Sequence, residues 1–369
     1  MTAPSENHSP DVSVVVCTRN RAALLHGALA SLYDLATEDE FSYEIVVVDN
    51  GSTDETSQVI AAATKESKHP LWGVREGQPG IVAARNRGIA AARGRWIAFF
   101  DDDQLADWHW LAELFRGTIE KSCRVVGGSV QLALPAECKR ELDPIVLRLL
   151  GESPASDLPQ KYGGKNTPGC GNLMIERSVL DKVGPFERAI DGRGEDADLY
   201  FRIEQARFEA WYIPTAVVHH LTPAERLAED YLLRVARIAG QGEAVRQRAR
   251  LGLVRFAGLW LVRRLKFPMV QYPAWIWARL MRDAERTLGR RCDLAMAQGF
   301  IDGVKPAPPR PPVQPAAAPR VALAAAPARA AAPQQRAAPV YILRTGEPTV
   351  VMDIPSAVLG SPAVKYPSH

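Results

Sequence analysis

Residues 96–103 read WIAFFDDD: five apolar residues in a row, then the three carboxylates Asp101, Asp102 and Asp103. An unbroken apolar run of this length suits a strand covered on both faces, as in a parallel sheet. Working outward, residues 12–17, 44–48, 72–75 and 124–130 read as strands too. Between them Leu24, Leu25, Ala28, Leu29 and Leu32, and then Ile81, Ala84, Ile89 and Ala92, recur at helical spacing. Such stripes exist to be buried. Strands alternating with helices predict an α/β fold around a mostly parallel sheet.

The chain has 369 residues, enough for one large domain and an appendage. Apolar residues make up 47% and charged residues 24%, ordinary globular usage. The net charge of +3 is misleading, because residues 303–346 hold six Lys or Arg and no acid, which leaves −3 for the rest. Nucleic acid is therefore not expected as a partner. Five cysteines without a CxxC pair suggest neither a disulfide framework nor a zinc site. No basic segment leading into an apolar run opens the sequence, and no apolar run approaches the roughly 18 residues of a spanning helix. The expectation is a cytoplasmic protein, soluble or peripheral on the inner face of the plasma membrane.

The triplet after residue 100 falls at the carboxyl edge of the sheet, where open α/β folds bind ligands. Carboxylates across a tight turn suit a hard divalent cation, Mg²⁺ or Mn²⁺, together with phosphate oxygens. A turn or helix cap is the competing reading, although a cap needs only one Asp. Upstream, EIVVVDNGSTDET (44–56) ends a strand in Asp49, which turn chemistry alone explains but which could also read a nucleobase or ribose. GIVAARNRGIAAARG (80–94) sets Arg85 on a helix of small residues, where it could hold a phosphate or the base. Downstream, GRGEDADLYFRIEQ (192–205) places Glu195 and Asp196 where a Gly-rich loop becomes a helix, whose N-terminus lowers a carboxylate's pKa. AVVHHLTPAER (216–226) ends a strand with His219 and His220, and one imidazole could complete a metal shell.

Residues 225–300 read as amphipathic helices. Two stretches, FAGLWLVRRLK (256–266) and FPMVQYPAWIWARLMR (267–282), mix Trp and bulky aliphatics with Arg or Lys, as an interfacial helix on an anionic membrane does. The alternative is a helical subdomain packed on the sheet. From residue 305 to 339 ten prolines sit among alanines with no acid, a composition that predicts disorder. YIL (341–343) and TVVM (349–352) leave open a short docking strand.

In order along the chain, VSVVVCTRNR, VVVDNGSTDET, GIVAARNRGIAAARG, IAFFDDD, GCGNLMIERSVL and GEDADLYFRIE resemble the family 2 glycosyltransferases of the GT-A fold. The likeness spans residues 11–226. It divides the chain into a disordered 1–10, a GT-A domain over 11–226, a helical extension over 227–304 and a disordered Pro/Ala-rich tail over 305–369.

The resemblance implies a Rossmann-like, inverting transferase that passes a sugar from a nucleotide-diphosphate donor, a UDP-sugar first, to a hydroxyl acceptor. Thr18, Arg19, Asn20, Asp49, Arg85, Asp101 and Asp102 would serve the nucleotide sugar. Asp103, Asp101 and His220 would hold Mn²⁺ or Mg²⁺, with His219 as the fallback. Asp196 would be the catalytic base and Glu195 would orient it, while Gly171 and Asn172 would line the acceptor side. A glycan or lipid-linked acceptor at the cytoplasmic membrane face would suit the Trp- and Arg-rich helices, with a role in cell-surface polysaccharide or glycolipid assembly. A non-catalytic nucleotide-sugar-binding scaffold is the alternative, whereas a sugar nucleotidylyltransferase lacks its Gly-rich basic loop here. One departure is Arg207, where similar sequences carry Gly, and it leaves the end of its helix open by a residue or two.

Overall fold

The computed structural model describes residues 9–138, 141–154, 156–163, 166–188, 194–303, 340–343 and 351–353. The predicted apolar runs form β1 (Val12–Thr18), β2 (Tyr43–Asp49), β3 (Leu71–Arg75) and β4 (Trp96–Asp101), joined by α1 (Ala22–Ala30), α2 (Thr56–Glu66) and α3 (Ile81–Ala91). They pair in parallel in the order β3-β2-β1-β4. Successive side chains leave opposite faces of a strand. Thus Val12, Val14 and Val16 enter one core with Leu25 and Leu29, while Val15 enters another with Val82 and Ala84. A sheet buried on both faces is why these strands read as continuous apolar runs. The register pairs Thr18 with Asp49 and Cys17 with Asp101, so three strand ends deliver polar side chains to one edge.

Next come β5 (Gln104–Ala106), α4 (Trp110–Glu120), β6 (Val125–Pro135), α5 (Pro144–Leu149), β7 (Gln160–Lys161), β8 (Asn172–Glu176), α6 (Arg177–Val183), α7 (Glu195–Gln205) and β9 (Ala210–Leu221). Strand β8 lies antiparallel between β4 and β6, so the mostly parallel sheet has an inserted reversed strand. β6 outruns its expected end at residue 130, because it pairs in parallel with β9 up to Ala133. β5 pairs antiparallel with β9, which sets Gln104 opposite His220.

The extension is α8 (Glu229–Lys266), broken at Gly252 (φ 71°), then a π-helical turn, α9 (Tyr272–Leu280) and α10 (Ala284–Asp302). Leu232 and Ala236 of α8 and Leu288 and Cys292 of α10 share a core with Leu132 and Leu134 of β6 and Val146 of α5. That half is the packed subdomain anticipated as the alternative.

In the segment expected to be a disordered tail, β10 (Val340–Leu343) instead pairs antiparallel with β6 and buries Tyr341, and β11 (Val351–Asp353) pairs with β10. The docking strand is thus the alternative that formed. The end of β6 offers unpaired backbone groups at 133–135, which another strand satisfies. The remainder of 305–369, and of the expected disordered N-terminus residues 1–8, lie outside the described residues.

α7 ends as similar sequences would with Gly. Arg207 adopts φ 63°, its N–H donates to Glu204 O at 3.0 Å, and Phe208 N–H donates to Ile203 O at 3.2 Å. This is a Schellman cap with an arginine in the left-handed position.

Candidate active site

The turn after β4 is pinned from two sides. Leu221 N–H donates to Asp103 O at 2.8 Å, and the β5–β9 pairing brings His220 to the same place. Asp102 and Asp103 are buried, an arrangement that polar partners must offset. Arg21 Nη1 lies 2.8 Å from Asp102 Oδ1 and 3.2 Å from Asp103 Oδ2. Arg226 Nη2 lies 3.0 Å from Asp103 Oδ2, its Nη1 lies 2.9 Å from His220 Nε2, and that nitrogen is 3.5 Å from Asp103 Oδ1. Burial raises the pKa of Asp102 to about 6, with Arg21 opposing. Burial works the same way on Asp103, but His220, Arg226 and Arg21 outweigh it and hold Asp103 well below the usual carboxylate range. His219 faces away from the turn, as the two-residue period of β9 requires, and burial lowers its pKa.

A cavity of about 570 Å³ opens over this turn. Thr18, Arg19, Arg21, Asp101, Asp102, Asp103, His220 and Arg226 line it, with Leu149 to Gly151 and Tyr231 closing the far wall. That size lies within the range of small-molecule sites.

The second cluster sits at the N-terminus of α7. Arg85, buried on α3, places Nη1 3.0 Å from Glu195 Oε1 and 2.8 Å from Asp196 Oδ1, and its Nη2 lies 3.8 Å from Asp101 Oδ1. Cys170 N–H donates to Asp196 Oδ2 at 3.1 Å. Burial and the neighbouring Asp196 raise the pKa of Glu195, against Arg85, so for this residue the lowering expected of a helix N-terminus is overridden. Glu195 and Asp196 line a second cavity of about 880 Å³, walled on its other side by Arg237, Ile238, Val245 and Arg246 of α8. Asp101, Arg85 and Asp196 thus form a chain of charges running between the two cavities.

A model of the glycosyl transferase family 2 matches residues 13–184, which hold β1 through α6 and the acidic turn. Over those residues the chain carries a domain of this family. Glycosyltransferase AglE of Haloferax volcanii is 27% identical over 188 residues, covering 50% of this chain and 59% of that protein. The succinoglycan biosynthesis protein ExoO of Rhizobium meliloti is 33% identical over 160 residues, covering 43% of this chain and 42% of that protein. The chain therefore spans about half the length of these relatives. Among solved structures, the mannosyltransferase PcManGT of Pyrobaculum calidifontis, in complex with GDP-Man and Mn²⁺, superimposes with a TM-score of 0.51 at 18% identity, covering 81% of this chain and 90% of that one. At that identity the likeness concerns the GT-A fold.

Within this family 2 domain the residues named from sequence separate. Thr18, Arg19, Asp101 and Asp102 line the first cavity, whereas Asn20, Asp49 and Arg85 do not. Asn20 accepts from Thr53 N–H at 2.8 Å and Asp49 from Ser52 N–H at 2.8 Å, which ties the β1 and β2 turns together. Asp49 thus takes the turn role that its sequence context allowed. Gly171 lies against Asp101, since a Cβ there would strike the Asp101 carboxylate and approach Gln104 Nε2 to 2.6 Å. Asn172, expected on the acceptor side, points into the core instead. Its amide donates to Ser129 O at 3.0 Å and Ala216 O at 2.9 Å and accepts from Trp110 Nε1 at 2.8 Å. Asn172 opens β8, and its three hydrogen bonds hold its side chain on the core side, away from Asp101.

Among the described residues no cluster of three or more His, Cys, Asp or Glu stands ready around a cation. Asp103 and His220 do face each other, and Asp101 is one strand end away. The carboxylates suit Mn²⁺ or Mg²⁺ by ligand type, whereas the imidazole is a softer ligand that hard Mg²⁺ takes less readily. Arg21 and Arg226 supply positive charge at the same turn. Neither was singled out from sequence as a site residue. Arg21 lies 81 residues before Asp102 and Arg226 lies 123 after Asp103, so nothing local joins them.

Proposed function

We propose that the protein is an inverting glycosyltransferase that moves a sugar from a nucleotide-diphosphate donor, a UDP-sugar, to a hydroxyl acceptor. The observation that carries this reading is the Asp101–Arg85–Asp196 chain, which joins a polar, cation-lined cavity to a second cavity holding a pair of carboxylates. Donor and acceptor enter from different sides in this reading. The diphosphate lies over the turn, where Arg21 and Arg226 are the nearby cations. Asp103, Asp101 and His220 would hold Mn²⁺ or Mg²⁺, which when bound neutralises charge on the departing diphosphate.

Asp196 accepts the acceptor's proton as the hydroxyl oxygen bonds to the anomeric carbon. The bond from that carbon to the diphosphate breaks on the opposite face, so the configuration inverts. Arg85 holds the Asp196 carboxylate in place through its bond to Oδ1, and the Cys170 N–H holds the other oxygen. Glu195 orients Arg85 from the second side. Gly171 lets Asp101 approach the wall of the site.

The names of the relatives support a place in glycan assembly, and succinoglycan biosynthesis is a polysaccharide pathway. We place the protein in the cytoplasm, peripheral on the inner membrane face, acting on a glycan or lipid-linked acceptor. The test is a screen of nucleotide sugars for metal-dependent hydrolysis. Turnover that persists with EDTA, or after Asp103→Ala, contradicts the metal-dependent mechanism. Binding of UDP with turnover of no sugar favours the scaffold alternative.

A further inference from the structure

The end of α8 beyond Gly252, the π-helical turn and α9 form one continuous helical stretch that is packed poorly for its composition. Between residues 252 and 282 only Phe256 and Ala278 are buried. Leu253, Leu261, Leu265, Met269, Trp277 and Leu280 stand exposed, Met269 at 73% and Trp277 at 61%. So much exposed apolar surface along one helical stretch marks an interaction site. Among the described residues no helix is long and apolar enough to cross a membrane, so the stretch cannot bury this surface by spanning one.

Charge decides the occupant. From residue 244 to residue 282 the sequence carries nine Arg or Lys and no Asp or Glu. A second copy of the chain, joined by two-fold symmetry, would set this basic surface against itself. An anionic bilayer takes both features at once: the side chains of Leu, Met and Trp enter the acyl boundary and the guanidinium groups meet lipid phosphates. Arg264 lies over Trp260 and Arg279 over Trp275, with 5.0 and 5.9 Å from guanidinium carbon to ring centroid, so cation and aromatic ring are already paired along this stretch.

We infer that this helical stretch seats the protein on an anionic lipid bilayer. The seating also sets the acceptor class, a consequence that rests on the glycosyl transfer reading. Val245, exposed at 61%, lines the second cavity, and seven residues later the break at Gly252 leads into Leu253 and Val254 at the start of the apolar stretch. One wall of the cavity beside Glu195 and Asp196 is thus the segment that leads into the seated stretch, and on this inference its acceptor is a hydroxyl group carried on a lipid.

The experiment is co-sedimentation of the full chain with vesicles of phosphatidylcholine alone or mixed with phosphatidylglycerol. Met269→Glu with Trp277→Glu changes two exposed side chains, and Lys266→Gln with Arg279→Gln removes two charges. The expected result is partitioning onto the anionic vesicles that added salt weakens, that the Glu pair abolishes, and that falls about fivefold per charge removed. Equal partitioning of the wild type and both variants, or none by the wild type, overturns the inference. So does a wild-type dimer in sedimentation velocity that the Glu pair converts to monomer, since a second copy would then cover the face. Hydrolysis of the nucleotide sugar without vesicles is read in parallel. Its absence counts against glycosyl transfer and leaves the membrane result to stand by itself.

Discussion

Replacing Arg85 with alanine removes the cation that, among the described residues, touches both carboxylates at the start of α7. Its guanidinium lies 2.8 to 3.8 Å from Asp196, Glu195 and Asp101, with its side chain 9% exposed. Breaking a buried ion pair by deleting one partner costs about 3–5 kcal/mol, because the other charge stays buried. Asp196 and Asp101 keep some contact with water, so the lower end applies, roughly 3 kcal/mol. For a domain of this size that lowers Tm by about 6–12 °C.

The loss also depends on pH, with a definite sign. The Glu195 carboxyl already has a raised folded-state pKa, from burial and from Asp196, with Arg85 opposing. Without Arg85 it rises further, and a carboxyl raised above its unfolded value destabilises the fold above that unfolded value and ceases to do so below it. Urea unfolding followed by tryptophan fluorescence should therefore show a deficit that shrinks as pH falls from about 7 towards about 4. The double variant Arg85→Ala with Glu195→Gln should recover part of the loss at neutral pH. A deficit under about 1 kcal/mol, or one that is constant with pH and additive in the double variant, refutes this account.

Further outcomes follow from single positions. Arg207→Gly relieves an arginine held at φ 63° and should raise Tm, by about 1–3 °C for a gain of about 0.5–1 kcal/mol, read by calorimetry. Glu44→Gln should destabilise the fold by about 1–3 kcal/mol at neutral pH. Despite its burial, Glu44 is held below its ordinary pKa by Arg93, the Ser13 hydroxyl and the Trp72 indole. A lowered carboxyl stabilises above its unfolded pKa and loses that contribution as pH falls through the folded one, so the Tm gap between variant and wild type should close in acid. Gly171→Ala pushes a methyl group into Asp101 and should cut turnover about 100-fold, whereas Gly77→Ala, with open space around its Cα, should leave turnover unchanged.

The sheet was legible because β1, β2 and β4 are buried on both faces and so read as unbroken apolar runs. The acidic turn was legible because three adjacent carboxylates are more than a cap requires. The choice between His219 and His220 needed the β5–β9 register, which no local pattern carries. Asn172 was misplaced for a related reason, since its side chain leaves β8 on the core face, a direction set by the pairing with β4. Arg21 and Arg226 reach the turn through the fold alone. The strand at Val340–Leu343 depends on a free stretch of β6, itself visible only once β6 is known to run to Pro135.

The most direct test of the account is single-turnover transfer by Asp196→Asn, with donor binding measured on the same variant. Asp196 is placed to receive the acceptor's proton and stands outside the first cavity. The account predicts transfer slowed by about 100-fold or more, with donor affinity unchanged. Transfer at the wild-type rate, or a loss explained wholly by weakened donor binding, would contradict it.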